Sequence, residues 1–110
     1  GGIYKNNLAG TASAPIWIGG AASEPLPVIE GGNTGIQMSR AKYVVLHDLE
    51  VQNATYNGIN FDDGGDVADP FAAHHLVFKN LIIHDIGSSG NEDGLKLSGI
   101  NEYSCIVEHL

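Results

Sequence analysis

Acidic side chains gather in one short stretch near the middle of the chain. Four carboxylates, Asp62, Asp63, Asp66 and Asp69, fall within eight residues, and two glycines separate the second from the third. Carboxylates this close repel one another unless water or a cation neutralises them, and Ca²⁺ accepts six to eight oxygen ligands in irregular geometry. The glycines let the backbone bend so that the carboxylates converge. The stretch indicates either a calcium site formed by Asp62, Asp63 and Asp66 or a solvated acidic loop.

Internal repeats indicate which elements must position these residues. Residues 43–53 match residues 75–85 by type, and a third copy begins at residue 104. Each copy follows a shorter glycine-initiated string that alternates apolar and polar residues, at residues 35–39, 58–62 and 94–98. Alternation of this kind is β-strand periodicity with one face buried. The repeats therefore predict a solenoid of stacked coils with little or no helix.

Stacking the copies in register predicts five inward columns. Their members are Ile36, Ile59 and Leu95; Met38, Phe61 and Leu97; Val44, Leu76 and Cys105; Leu46, Phe78 and Val107; and Leu49, Leu81 and Leu110. Ile16 and Ile18 extend two of these columns upward, and Leu26 and Val28 are expected to extend others. Turn positions between the second and third strands hold Asp48, Asn80 and His109, which are polar types that tolerate left-handed turns.

The spacing between the short strings locates two insertions. Gly35 and Gly58 are 23 residues apart, whereas Gly58 and Gly94 are 36 apart, which adds 13 residues. These residues fall into loops near 62–74 and 86–93, which flank a short strand and are expected on one side of the solenoid. Insertions in repeat proteins tend to mark the binding face.

Composition excludes several classes of function. The 110 residues include 5 Lys and Arg against 13 Asp and Glu, a net charge of -8, so nucleic acid is not an expected partner. The single cysteine, Cys105, excludes an internal disulfide framework. No apolar run is long enough to span a membrane. Because the chain starts at Gly1 without Met and stops within a repeat, we expect a fragment of a longer solenoid.

The chain resembles the pectate-lyase-like superfamily of right-handed parallel β-helices. The glycine-initiated strands, the string at residues 74–81 and the string at residues 93–99 carry the resemblance, which covers nearly the whole chain but fits residues 1–13 least. It implies an all-β, right-handed parallel β-helix of about four coils, located extracellularly or in the periplasm. Lyases, hydrolases, epimerases and non-enzymatic proteins share this fold, so the resemblance identifies the activity less well than the fold.

The acidic stretch is similar to one site within that superfamily. Asp62-Asp63-x-x-Asp66 followed by Lys96 resembles the calcium-and-lysine site of family 9 polysaccharide lyases, and Ser39 stands where that family has a further calcium aspartate. The resemblance implies that Ca²⁺ binds a uronate carboxylate and acidifies the C5 proton. Lys96 would be the catalytic base that removes this proton, and β-elimination would break the glycosidic bond. Alternatively, Lys96 pairs with acidic neighbours.

Two classes of function remain open. The first is a calcium-assisted lyase acting on a uronate polysaccharide, with Asn60, Gln37 and Tyr56 as substrate contacts; this piece alone would be inactive. The second is a non-catalytic solenoid that binds glycan or serves structurally. In either case the strand edges at both ends predict end-to-end self-association.

Histidines are not assigned a role in the sequence-based site. His74 and His75 are adjacent in a strand, where neighbouring side chains point to opposite faces, so we do not expect them to share a metal. His47, His84 and His109 lie at or near turns.

Overall fold

The computed structural model describes residues 2–87 and 92–110, and its elements are β-strands joined by loops. The strands are β1 (Ile3–Asn6), β2 (Ile16–Gly19), β3 (Val28–Glu30), β4 (Ile36–Ser39), β5 (Lys42–Gln52), β6 (Ile59–Asp62), β7 (His74–His84), β8 (Leu95–Ser98) and β9 (Ile106–Glu108). One short 3-10 turn covers Glu102–Ser104. The described residues contain no α-helix, which confirms the predicted all-β class.

The strands form two parallel sheets that stack as a β-solenoid of about three turns. The four-stranded sheet has the order β1-β4-β6-β8, and the five-stranded sheet has the order β2-β5-β7-β9, with β3 also pairing with β5. Strands β8 and β9 add part of a further turn, so the structure is close to the expected four coils. Each strand lies about 4.8 Å from its equivalent in the next turn.

The register confirms the predicted inward columns in the strands up to β8, whereas Val107 and Leu110 in the last turn are exposed. Ile36 pairs with Ile59, and Ile59 pairs with Leu95 in the four-stranded sheet. Leu46 pairs with Phe78 in the five-stranded sheet, and the rings of Phe78 and Phe61 meet edge to face at 4.9 Å across the core. All of these side chains except the partly buried Leu95 are fully buried, and each of the buried ones stabilises the fold by about 1.5–3 kcal/mol relative to an exposed one. The core is therefore a set of columns rather than a closed cluster.

The predicted inward position of Val28 is wrong, whereas that of Leu26, which is half-buried just before β3, stays a prediction. Strand β3 pairs Val28 with Glu50 and Ile29 with Val51, so Val28 is exposed and Ile29 packs against the core. The reason is the loop at residues 20–27, which separates β2 from β3, whereas the neighbouring β5 continues through Asp48 without a break. Because side chains alternate with a period of two, a slip of one residue exchanges the buried and exposed faces.

Left-handed residues bend the long strands at the predicted positions. Asp48, Asn80 and His109 have φ values of 49°, 53° and 54°. Tyr43 and His75 form a second left-handed pair, each with φ of 52°, which the sequence analysis did not identify. Asp, Asn and His visit this region more readily than other side chains, whereas Tyr43 is held there by its surroundings.

Connections at the two ends of the short strands differ in length. Residues 63–73 join β6 to β7. The equivalent connection in the preceding turn, between β4 and β5, consists only of residues 40–41. Residues 85–94 join β7 to β8, and residues 88–91 of the predicted second insertion lie outside the described part of the chain. The first insertion therefore follows the carboxyl end of β6. Over the described ranges, no helix is long and apolar enough to cross a membrane.

Candidate functional site

Two polar columns run down the outer face of the four-stranded sheet. The first contains Tyr4, Gln37, Asn60 and Lys96, and the second contains Asn6, Ser39, Asp62 and Ser98. They face outward because their apolar neighbours in each short strand face the core. The register thus brings together Gln37, Asn60, Asp62 and Lys96, as predicted, and adds the first strand to the same face.

A hollow of about 430 Å³ opens on this face, and we call it the polar hollow. Its lining residues are Tyr4, Asn6, Gln37, Ser39, Arg40, Asp62 and Gly64. The sequence analysis did not place Tyr4, Asn6 or Arg40 at this site. The signal for the first two is the Gly-Ile pair at residues 2–3, which matches the Gly-Ile pair at residues 35–36 and would have placed β1 in register.

Asp62 is the acidic centre of the polar hollow. Its Oδ2 accepts hydrogen bonds from Gln37 Nε2 at 3.0 Å and Asn60 Nδ2 at 3.2 Å, and its Oδ1 accepts one from the Gly64 amide at 2.9 Å. Partial burial raises the pKa of Asp62, but hydrogen bonds from Ser39, Gly64, Gln37 and Asn60 together outweigh it. The pKa of Asp62 therefore lies below its ordinary value of 3.8, and the side chain is an ionised acceptor at neutral pH.

Asn60 links the two polar columns. Its Nδ2 donates to Gln37 Oε1 at 2.7 Å, while its Oδ1 is the one buried side-chain polar atom that lacks a hydrogen-bond partner within the described residues. A buried acceptor without a donor costs about 1–3 kcal/mol. Lys96 pairs in register with Asn60 in the next turn, and its ammonium group is a hydrogen-bond donor on the same outer face.

The other carboxylates of the acidic loop have separate partners. Asp66 Oδ2 forms an ion pair with Arg40 Nη1 at 2.9 Å. Asp63 Oδ1 accepts a hydrogen bond from the Gly65 amide at 2.8 Å, and Asp69 Oδ1 accepts one from the Phe71 amide at 2.9 Å. Such short-range bonds are the usual turn chemistry of aspartate. In residues 2–87 and 92–110, no group of three or more His, Cys, Asp or Glu side chains is arranged to hold a metal.

Lys96 and Tyr56 occupy different parts of the surface. Lys96 is exposed on the outer face, and no ion pair between described residues involves it, so the alternative of an acidic partner is not seen there. Tyr56 is exposed in the connection before β6, where its amide donates to the Asn33 carbonyl at 2.7 Å. That position is at the opposite end of β6 from Asp62. Tyr4, rather than Tyr56, supplies the aromatic ring of the polar hollow.

The structure overturns the argument that separated His74 from His75. Their Nδ1 atoms are 2.8 Å apart, because the left-handed φ of His75 interrupts the alternation of an extended strand. A strand pattern read from sequence assumes extended residues throughout, so this pair was not predicted.

Comparison with known proteins finds no family model, no curated protein and no solved structure that matches this chain. The solenoid and the geometry of the polar hollow are therefore the basis for the function proposed below.

Proposed function

We propose that this chain is a carbohydrate-binding, right-handed β-helix of the pectate-lyase-like type, which binds polysaccharide on the outer face of its four-stranded sheet. The observation that carries the proposal is the polar hollow, whose lining includes both Asp62, held ionised by hydrogen-bond donors, and the exposed Tyr4. Proteins of this type act on glycans outside the cytoplasm, so the proposed location is extracellular or periplasmic.

The chemistry of the polar hollow suits a sugar. Each sugar hydroxyl both donates and accepts hydrogen bonds. Asp62 offers acceptors only, Arg40 offers donors only, and the Gln37 amide offers both. The Tyr4 ring, about two-thirds exposed, presents an apolar face on which the C–H groups of a pyranose can stack. An aromatic face beside convergent polar groups is the usual composition of a small-ligand site.

Net charge favours a neutral glycan when no cation is present. The chain carries -8, and the polar hollow contains an ionised carboxylate. A polyuronate would be repelled by this charge unless a cation bridged the two anions. Neutral hexose polymers meet no such repulsion, so they are the preferred class of ligand for the metal-free protein.

The second candidate function is a calcium-assisted uronate lyase. The observation that favours it is the position of Lys96, in register with Asn60 and diagonal to Asp62 on one outer face. In this proposal Asp62, Asp63 and Asp66 bind Ca²⁺, while Gln37, Asn60 and Tyr56 contact the substrate and Lys96 is the catalytic base. Calcium would have to compete with Arg40 for Asp66, since Arg40 Nη1 and Asp66 Oδ2 form an ion pair at 2.9 Å.

Calorimetric titration distinguishes these functions. The wild type, Asp62→Asn and Asp69→Asn would each be titrated with neutral hexose hexasaccharides and with oligouronates, first in chelator and then with Ca²⁺. We expect the wild type to bind a neutral hexasaccharide in chelator. Asp62→Asn should weaken this binding at least tenfold, because a charge-assisted hydrogen bond contributes about 1.5–3 kcal/mol.

Asp69→Asn is the matched control, since it removes the same charge from the same loop but lies outside the polar hollow. Its affinity for the hexasaccharide should equal that of the wild type. Oligouronate binding that appears only with Ca²⁺, and unsaturated products that vanish in Lys96→Ala, would instead support the lyase. If the wild type binds no neutral sugar in either buffer, the carbohydrate-binding proposal is wrong.

A further inference from the structure

His74 and His75 form a close pair of imidazoles at the start of β7. Their Nδ1 atoms are 2.8 Å apart, which is a hydrogen bond with a single proton shared between the two nitrogens. The pair is on the surface, and His75 is the more exposed member. Adjacent residues of a regular strand could not make this contact. It depends on the φ of 52° at His75.

Neighbouring side chains fix the orientation of both rings. Tyr43, in the turn above, stacks on His75 with centroids 4.5 Å apart and ring planes 15° apart. The same tyrosine meets His74 edge to face at 5.3 Å, and Phe71 approaches His74 from the inserted loop at 6.4 Å. Aromatic contacts of this geometry contribute about 0.5–1.5 kcal/mol each beyond area burial. The rings are thus held in place before any ligand arrives.

Backbone contacts anchor the pair to the turns on either side. The His74 amide donates to the Ala41 carbonyl at 3.1 Å, and the His75 amide donates to Ser104 Oγ at 2.9 Å. The strained φ of His75 is therefore supported from the next turn. A chelating pair with a fixed backbone loses little conformational entropy when it binds an ion.

Electrostatics keep His74 ready to act as a ligand. Partial burial lowers the pKa of His74 below 6.5, and the charges of His75 and Lys42 lower it further, whereas Asp69 opposes the shift. Only a neutral imidazole binds a metal. The cation Lys42, in register with His74 in the turn above, disfavours a bound metal, and Asp69 favours it.

We propose that the Nδ1 atoms of His74 and His75 together chelate one divalent transition-metal ion of the Cu²⁺ or Ni²⁺ type. The ion takes the place of the shared Nδ1 proton, which is re-bound at Nε2 of the same ring, so that both imidazoles stay neutral and no net proton is lost. Water fills the other coordination positions. A metal about 2.0–2.1 Å from two nitrogens with this separation would subtend an angle of roughly 85–90° at the ion. This angle suits square-planar or tetragonal Cu²⁺ and Ni²⁺ better than tetrahedral Zn²⁺.

The test is a Cu²⁺ titration by calorimetry, together with electron paramagnetic resonance, on the folded chain near pH 7.5. We expect one tight equivalent of Cu²⁺ with a nitrogen-coupled spectrum. His74→Gln and His75→Asn should each weaken this equivalent at least tenfold. Asparagine is chosen at position 75 because it tolerates positive φ.

His84→Gln is the control, since it removes a different surface histidine and should leave the tight equivalent unchanged. Far-UV circular dichroism would establish that each variant keeps its strands. The proposal is overturned if the tight equivalent survives in both pair variants, if His84→Gln abolishes it, or if Zn²⁺ binds more tightly than Cu²⁺ and Ni²⁺.

Discussion

Several acidic side chains of this chain hydrogen-bond to a residue in the adjacent turn. Asp62 accepts from Gln37, and Asp48 accepts from Asn80 at 3.3 Å. Glu50 contacts His84 at 2.7 Å. Neighbouring turns therefore occupy part of the hydrogen-bonding capacity of these carboxylates, and the formal charge of -8 overstates how many carboxylates are available to a cation.

His84 provides a pH-dependent test at the residue scale. Its Nδ1 contacts Asp85 Oδ2 and its Nε2 contacts Glu50 Oε1, each at 2.7 Å. Hydrogen bonds to Asp85 and then Glu50 raise the pKa of His84 above 6.5. The charged form is favoured in the folded state, so its contribution to stability is complete below pH 6.5. It is lost as the pH rises through the raised pKa.

Urea unfolding of the wild type and His84→Gln, below pH 6.5 and above the raised pKa of His84, measures the contribution of the charged imidazole to stability. The free-energy difference between the two proteins should be larger at pH 6 than at pH 8.5. An NMR titration should give His84 a pKa above 6.5, and Asp85→Asn should bring it closer to that value. A His84 pKa at or below 6.5 in the wild type would contradict the prediction.

Strand alternation explains how one short segment serves both core and site. In β6, Ile59 and Phe61 are fully buried while Asn60 and Asp62 face outward. The apolar pair therefore fixes the height and direction of the polar pair, since the strand cannot rotate without exposing its apolar side chains. Changes in the core columns are expected to disturb the polar hollow as well.

Phe61→Ala tests this dependence at the element scale. Removing a fully buried ring should lower the free energy of unfolding by about 3–5 kcal/mol, because a cavity remains between neighbouring columns. Phe71→Ala deletes the same side chain from the exposed inserted loop and should cost less than about 1 kcal/mol. Equal losses in the two variants, measured by chemical denaturation, would contradict the column arrangement.

The two ends of the solenoid differ in character. At the end formed by β8 and β9, a hollow of about 300 Å³ is lined by Leu97, Gly99, Ile100, Cys105 and Val107. At the other end Lys5 occupies the inward column above Met38. An ammonium in this column disfavours stacking of another apolar turn, because burying an unpaired charge costs several kcal/mol. We therefore expect self-association to occur through the apolar end formed by β8 and β9 rather than through the end that carries Lys5.

Self-association provides the test at the scale of the whole molecule. Sedimentation velocity should show concentration-dependent association of the wild type, since exposed strand edges and apolar column ends are both present at β8 and β9. Val107→Lys should reduce this association, whereas Lys5→Glu, which changes a charge at the opposite end, should not. A wild type that stays monomeric across the concentration range would exclude association through this end.

Much of the fold follows from short-range patterns in the sequence. Alternation within residues 58–62 identifies a strand and its buried face, and the repeat between residues 43–53 and 75–85 sets which strands stack. Polar residues at Asp48 and Asn80 identify the bends. These features depend on residues a few positions apart or on equivalent positions in successive turns, and both kinds of spacing are visible in one dimension.

The sequence by itself determined the parallel solenoid, the inward columns and the polar face that carries Asn60 and Asp62. Only the tertiary structure decided that Arg40 neutralises Asp66, that Tyr4 joins the polar hollow, and that the imidazoles of His74 and His75 meet. The physical reason is that these contacts depend on side-chain reach and on left-handed backbone angles. The repeats indicate which strands stack and where they bend, but which side chains meet is set by packing against a neighbouring turn.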